Sequence, residues 1–330
     1  MNQIIYISSS ESKQIEVWRL ENFGILNLIQ IVALKGEPQP LCINKEKKIL
    51  YVAIRPKFYI ICYKINRFGF IKFYKKVRLS VSLNHITLDV NKQLIFCSSY
   101  HFNSLNIFKL DVFGIPIIDS LITLPNILGC HSSCLSMDYK KIFVTALKEN
   151  KIYVYNTEIK KFKIKKLIKL KNSINFGPRH MCIHNNGKYL YNINELNGSV
   201  DVWYIEHFNN ILKTQNISIF KNNINTKPWS ADIIIHPSGK FLYSCDRKLH
   251  LITIFKILNN GKYLKIKKNF ITEIQPRSFN INKKGNILIV AGEKSNTIAC
   301  YSINFNTGYI KLISIGNTGK NPLWVLIHNI

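Results

Sequence analysis

Short apolar runs recur along the chain, and no stretch sustains a helical period. One set reads IIYIS at 4–8, ILYVAI at 49–54, LIFCSS at 94–99, KIFVTA at 141–146, YLYNIN at 189–194, FLYSCD at 241–246 and ILIVAG at 287–292. Taking Ile5, Leu50, Ile95, Ile142, Leu190, Leu242 and Leu288 as equivalent gives spacings of 45, 45, 47, 48, 52 and 46 residues. Each run is followed by an alternating one, such as IEVWRL, IICYKI, VDVWYI or ITIFKI, and most are preceded by another, such as HITLD, HMCIH or DIIIH. Alternation with period two marks half-buried strands. Joints such as NNGK, PSGK and NKKG suit tight hairpin turns. A weaker fourth run follows some pairs, as at FIKFYKK.

Seven units of three or four antiparallel strands predict an all-β fold, a seven-bladed β-propeller. The two ends complement each other. LWVLIH at 323–328 is a first strand with no second strand after it, and the chain opens on a second strand with no first. The C-terminal strand is therefore expected to complete the N-terminal blade and close the ring, making 1–330 a single domain. A β-sandwich or two barrels would leave those half-units unexplained.

An apolar content of 47% with 12% aromatics excludes disorder. The start has no basic-then-apolar leader pattern, and no apolar run reaches the 18 or so residues that a membrane span needs. Eight cysteines without a CxxC pair read as reduced thiols, which points to the cytoplasm. The net charge of +28 invites a nucleic-acid reading. Of the 46 basic residues, however, 39 are lysine, in a chain crowded with Ile and Asn, the profile that AT-rich codons produce. The densest run, KKFKIKKLIKLK at 160–171, alternates, and predicts an edge strand with solvated lysines. No specific nucleic-acid partner, no membrane partner and a monomer are expected.

The polar residues fall at two places in each unit. Ten or eleven positions before the markers stand Pro40, His85, His131, His180, Asp232 and Arg277, with Arg179 beside His180. Five positions after them stand Arg55, Tyr100, Leu147, Glu195, Arg247 and Glu293. In an antiparallel hairpin the start of one strand lies beside the end of the next, so both sets belong on one rim. The first strand of a blade is innermost, which turns the first set towards the central channel. Any single member could equally be a turn cap or one side of an inter-blade ion pair; their pooling is what argues for a site. Four of the seven arginines are among them, which suits planar, bidentate anion binding. No HExxH, GxSxG or phosphate-loop motif occurs, so neither a metal nor a cofactor is expected. A histidine base, a glutamate partner and arginines for a phosphate or oxyanion suit hydrolysis of an activated ester. Either His131 or His180 could be that base.

GCHSSCLS at 129–136, GPRHMCIH at 177–184, NELNGSVDVW at 194–203, WSADIIIHPSGKFLYSCDR at 229–247 and QPRSFNIN at 275–282 carry a resemblance to the bacterial propeller-type 6-phosphogluconolactonase family. YISSSESKQIEVWRL and NPLWVLIHN extend it to both ends. The resemblance implies hydrolysis of 6-phospho-D-glucono-1,5-lactone in the oxidative pentose phosphate pathway. It also implies a catalytic set of His131, Arg179, Glu195 and one of Arg247 and Arg277. His180 joins that set as the second candidate base, with Asp232, His85 and Arg55 expected to bind substrate. A lactonizing cycloisomerase and a non-catalytic binding platform are the alternatives. The Asn-rich segment 207–227, where one unit lengthens to 52 residues, is expected to be either a lid or a loose loop.

Overall fold

The structure, a computed structural model, describes residues 3–157, 166–171, 173–206, 210–222 and 225–330. Seven four-stranded antiparallel sheets are arranged as blades. Their innermost strands, for blades 1 to 7, are Pro322–Asn329, Glu37–Asn44, His85–Asp89, Cys130–Leu135, Pro178–Ile183, Ser230–Ile235 and Pro276–Ile281. Each of these packs against the inner strands of the blades on either side, so the ring closes. Closure is made in blade 1, where Pro322–Asn329 pairs with Gln3–Ser9 and sets Tyr6 opposite Leu326. Among the described residues the only helical segments are single 3-10 turns, and no helix is long and apolar enough to cross a membrane.

The second strand of each blade reads as a continuous apolar run because both of its faces are buried. Ile4 and Tyr6 face blade 2, packing with Val52, Ile54 and Tyr63, while Ile5 and Ile7 face blade 7, packing with Ile289, Ala291 and Ile298. Each fully buried isoleucine of this kind contributes about 1.5–3 kcal/mol. The outermost strands bury one face only. In blade 4, Lys169 and Lys171 are exposed and Leu170 is buried, as the alternation predicts. The lysine run enters this outer strand at Lys166; its earlier part, 160–165, lies outside the described residues.

Tyrosines one residue after the marker positions pin neighbouring blades at the rim opposite the inner-strand starts. Tyr6 Oη donates to the Gly69 carbonyl at 2.8 Å, Tyr51 to Gly114 at 2.6 Å, Tyr191 to Gly261 at 2.8 Å and Tyr243 to Gly308 at 2.7 Å. Each acceptor lies in a hairpin turn of the next blade. Gly261, at φ +111°, is required there twice over: the backbone is left-handed, and a Cβ would meet the Tyr189 ring.

Part of the segment 207–227 is neither lid nor loose loop. Ile211–Ser218 is the outermost strand of blade 5, far from the channel. The extra length falls in the connection 219–229 to blade 6. There Ile219 and Phe220 are buried and Trp229 reaches the rim; residues 207–209 and 223–224 lie outside the described residues.

Candidate active site

The two polar sets share a rim because strand pairing puts them there. Cys130 lies opposite Ala146, Pro178 opposite Asn194, Ser230 opposite Asp246, and Pro276 opposite Gly292. Just inside each of those pairs the inner strand carries one residue too many. Cys130 and Ser133 span Ala146 and Val144, for example, and Pro178 and Met181 span Asn194 and Asn192. Such β-bulges twist a strand and re-aim its side chains. His131, Arg179, His180, Asp232 and Arg277 all lie within these bulges. Pro40 lies in another. His85 instead opens an unbulged strand, opposite Ser98.

Two groups of side chains result. The first is aromatic and imidazole. The His180 ring lies 5.2 Å from His131 and 5.4 Å from His85, and Trp324 lies 5.7 Å from His85 and 5.8 Å from His180. His180 Nδ1 is 2.7 Å from Asp232 Oδ1, and the same oxygen accepts from the Ile233 amide at 2.9 Å. Burial alone would raise the Asp232 pKa, but the neighbouring His180 and Arg179 outweigh it and hold the carboxyl below its ordinary value. Burial, with Arg179 beside it, pulls the His180 pKa down in spite of Asp232. The pair is therefore a neutral imidazole donating Nδ1–H to a carboxylate, and the lone pair is on Nε2. That buried Nε2 has no protein partner. Burial also lowers His85, to about 3, and His131 well below its usual range, with Arg179 adding to the latter. His131 Nδ1 likewise has no protein partner, and His85 Nδ1 lies 3.3 Å from the Thr87 hydroxyl.

The second group is an ion cluster centred on Glu195. Its Oε2 lies 2.8 Å from Arg179 Nε and 3.2 Å from Arg247 Nη2, and its Oε1 accepts from Trp229 Nε1 at 3.2 Å. Arg179 is 2% exposed and also donates to the Ala231 carbonyl, while its own carbonyl accepts from Ser132 Oγ and Thr145 Oγ1. It thus bridges blades 4, 5 and 6. Arg247 stacks 3.8 Å over the Trp229 ring and donates to the Trp229 and Ser230 carbonyls. Burial, followed by Arg179, pushes the Arg247 pKa down to about 9.

Arg277 and Arg55 make no hydrogen bond or ion pair to Glu195, although Arg277 is close enough to lower the pKa values of Arg247, His131 and His180. Arg277 pairs with Glu293 at 3.7 Å, and Arg55 donates to the Leu83 carbonyl at 3.0 Å. Beneath His85, His180 and Asp232 a channel cavity of about 320 Å³ runs inwards past Cys182, Phe279 and Leu326. A larger cleft of about 550 Å³ opens on the opposite rim between blades 1 and 7. It is lined by no histidine, whereas His85, His131 and His180 converge at the channel mouth. Among the described residues no three metal-ligating groups are disposed to hold an ion.

All nine predicted residues thus lie on one rim. Trp324, Trp229, Ser132 and Thr145 were not singled out as site residues. Trp324 had a signal: it is third in its inner strand, as His180 and Asp232 are in theirs. That strand sits at the opposite end of the sequence from its marker, Ile5, so counting back could not reach it.

Fold and site together define a seven-bladed propeller whose inner-strand bulges build a histidine- and arginine-lined channel mouth. A family model described as "Lactonase, 7-bladed beta-propeller" matches residues 4–327, and the chain belongs to that family. It is 43% identical over 332 residues to a 6-phosphogluconolactonase of Buchnera aphidicola subsp. Acyrthosiphon pisum (strain APS), covering 99% of each chain. It is 36% identical over 331 residues to that of Erwinia tasmaniensis, covering 100% of both. In fold it is similar to a periplasmic gluconolactonase of Pseudomonas aeruginosa, with a TM-score of 0.90 at 17% identity over 99% of each chain. A Lactobacillus plantarum protein gives 0.90 at 19% identity over 100% of each.

Proposed function

We propose that the chain hydrolyses 6-phospho-D-glucono-1,5-lactone to 6-phospho-D-gluconate, the lactone-opening step of the oxidative pentose phosphate pathway. Family membership and the named activity of its full-length relatives support hydrolysis over a cycloisomerase or a non-catalytic platform. The observation that carries the chemistry is the His180–Asp232 pair beside the Arg179–Glu195–Arg247 cluster.

Of the two candidate bases, His180 is the one with an orienting carboxylate. His180 Nε2 accepts a proton from a water as the water oxygen bonds to C1 of the lactone. The carbonyl electrons move onto oxygen, where Arg179 and Arg247 meet the new charge. Collapse of this intermediate breaks the C1–O5 bond, and the ring oxygen leaves with the proton returned by His180. One water is added and nothing is oxidised. Glu195, with both oxygens engaged, is a positioning residue that holds the two guanidiniums in place. Neutral His131 and His85 face the sugar, and no metal or cofactor takes part. The proposal extends to one domain over 1–330 and a monomer in the cytoplasm with no specific nucleic-acid partner. The eight free cysteines suit a reducing compartment.

The test is the initial rate of 6-phosphogluconate release, measured against spontaneous hydrolysis and coupled to its oxidative decarboxylation. A wild-type rate no faster than background would overturn the function. His180→Asn should lower kcat by roughly 10²–10⁴-fold. Turnover retained by that variant would remove His180 as the base.

A further inference from the structure

The four arginines of the mouth differ in how far their donors are already committed. Arg179 and Arg247 are 2% and 3% exposed and are tied to Glu195 and to backbone carbonyls. Arg277 is different. Its side chain is 27% exposed, and its contact with Glu293 is 3.7 Å, well beyond the roughly 2.7–2.9 Å of a charge-assisted hydrogen bond. Gln275 Nε2 donates to the other Glu293 oxygen, Oε2, at 2.9 Å. Arg55 is half-buried and gives one hydrogen bond, to the Leu83 carbonyl, while its buried Nε has no partner.

The two kinds also belong to different blades, although Arg277 still feels the charges of Arg179 and Glu195. Arg179, Glu195 and Arg247 belong to blades 5 and 6, next to the His180–Asp232 pair. Arg277 in blade 7 and Arg55 in blade 2 flank the rim end of blade 1. Between them Gln39 Nε2 donates to Ser10 Oγ at 3.3 Å. The acids of this sector are Glu293 beside Arg277, Glu37 opposite Arg55 in the strand register, and Glu11 in the rim turn of blade 1, whose Oε1 accepts from Asn321 Nδ2 at 3.1 Å. The substrate class has the same division: an electrophilic carbonyl in the ring and a dianionic phosphate on the exocyclic carbon. A planar guanidinium with uncommitted donors is suited to bidentate phosphate binding.

We infer that Arg55 and Arg277 form a phosphate-recognition sector across blade 1, which selects phosphorylated over unphosphorylated sugar lactones. This rests on the lactonase reading above. Arg179 and Arg247 then act on the carbonyl, and the two arginine pairs divide specificity from chemistry.

The experiment compares kcat/KM for 6-phospho-D-glucono-1,5-lactone and for D-glucono-1,5-lactone, in wild type and in Arg55→Met and Arg277→Met. The ratio of the two values should fall on the order of 10²-fold in each variant, because a charged partner of the phosphate is lost. Arg55→Lys and Arg277→Lys keep the charge without the planar fork. They should fall about tenfold, and they decide the matter if a methionine variant does not fold. A ratio unchanged from wild type, whether or not both rates drop, overturns the phosphate sector. Wild type acting on neither lactone overturns the lactonase reading instead.

Discussion

Asp232 and Glu195 are carboxylates beside basic groups, yet their surroundings give them different work. Glu195 is shared among two guanidiniums and an indole N–H, so neither oxygen is left for a proton in transit. Asp232 gives one oxygen to a single imidazole nitrogen and so fixes its tautomer. Asp232→Asn keeps the shape but permits the amide to donate to Nδ1, which places the ring proton on Nε2, where the lone pair is needed. We expect kcat to fall by roughly 10²–10⁴-fold, with little change in KM. The pH profile supplies a second readout. The folded His180 pKa lies below its ordinary value, so the wild-type rate should hold as pH falls through 6.5 and drop only at lower pH, as Nε2 becomes protonated. Asp232 raises that pKa, so the Asn variant should move the acid limb to still lower pH. An acid limb that stays in place in Asp232→Asn would show that the carboxylate is not coupled to the titrating base.

At the scale of the element, the repeating strands carry both the fold and its locks. The tyrosine pins join successive blades through one hydroxyl each, and in blades 3 and 4 the equivalent residues are Phe96 and Phe143, without a hydroxyl. Tyr191→Phe therefore keeps the ring that the site accepts and removes only the bond to Gly261. Urea unfolding should register a loss of about 1 kcal/mol, rising towards 3 if the Gly261 carbonyl is left dry. An unchanged midpoint would mean that ring packing alone holds the blades. The doubly buried second strands were legible in the sequence because a short apolar run such as ILYVAI or ILIVAG, closed off by turn residues, suits a strand covered on both faces and is too short for a buried helix. The bulges were not. An extra residue in an inner strand changes the count back from the marker by only one, which is within the variation of ordinary loops. The pairing of Asp232 with His180, and of one glutamate with two arginines, lay beyond reach for the same reason. Spacing places residues on a rim, and only the bulges decide which way they point.

Across the whole molecule, ring closure and the site depend on the same strand. Pro322–Asn329 pairs with Gln3–Ser9, packs between the inner strands of blades 2 and 7, and carries Trp324 against His85 and His180. Removing residues 322–330 would leave the N-terminal strand with a bare row of backbone donors and acceptors, the kind of edge that recruits other chains. It would also expose Ile5 and Ile7, which share a core cluster with Val325. If 1–330 is one cooperative domain, the full-length chain should unfold in a single thermal transition. The truncated chain should then melt at a markedly lower temperature, self-associate on size-exclusion chromatography and lose lactone hydrolysis. Retention of the wild-type melting temperature would show that six blades stand without closure, and the ring would then not be a single folding unit. Loss of activity at an unchanged melting temperature would assign the last strand to the site alone, through Trp324. A fall in both ties catalysis to closure, because the histidines of blades 3 and 5 meet across a channel whose wall the C-terminal strand completes.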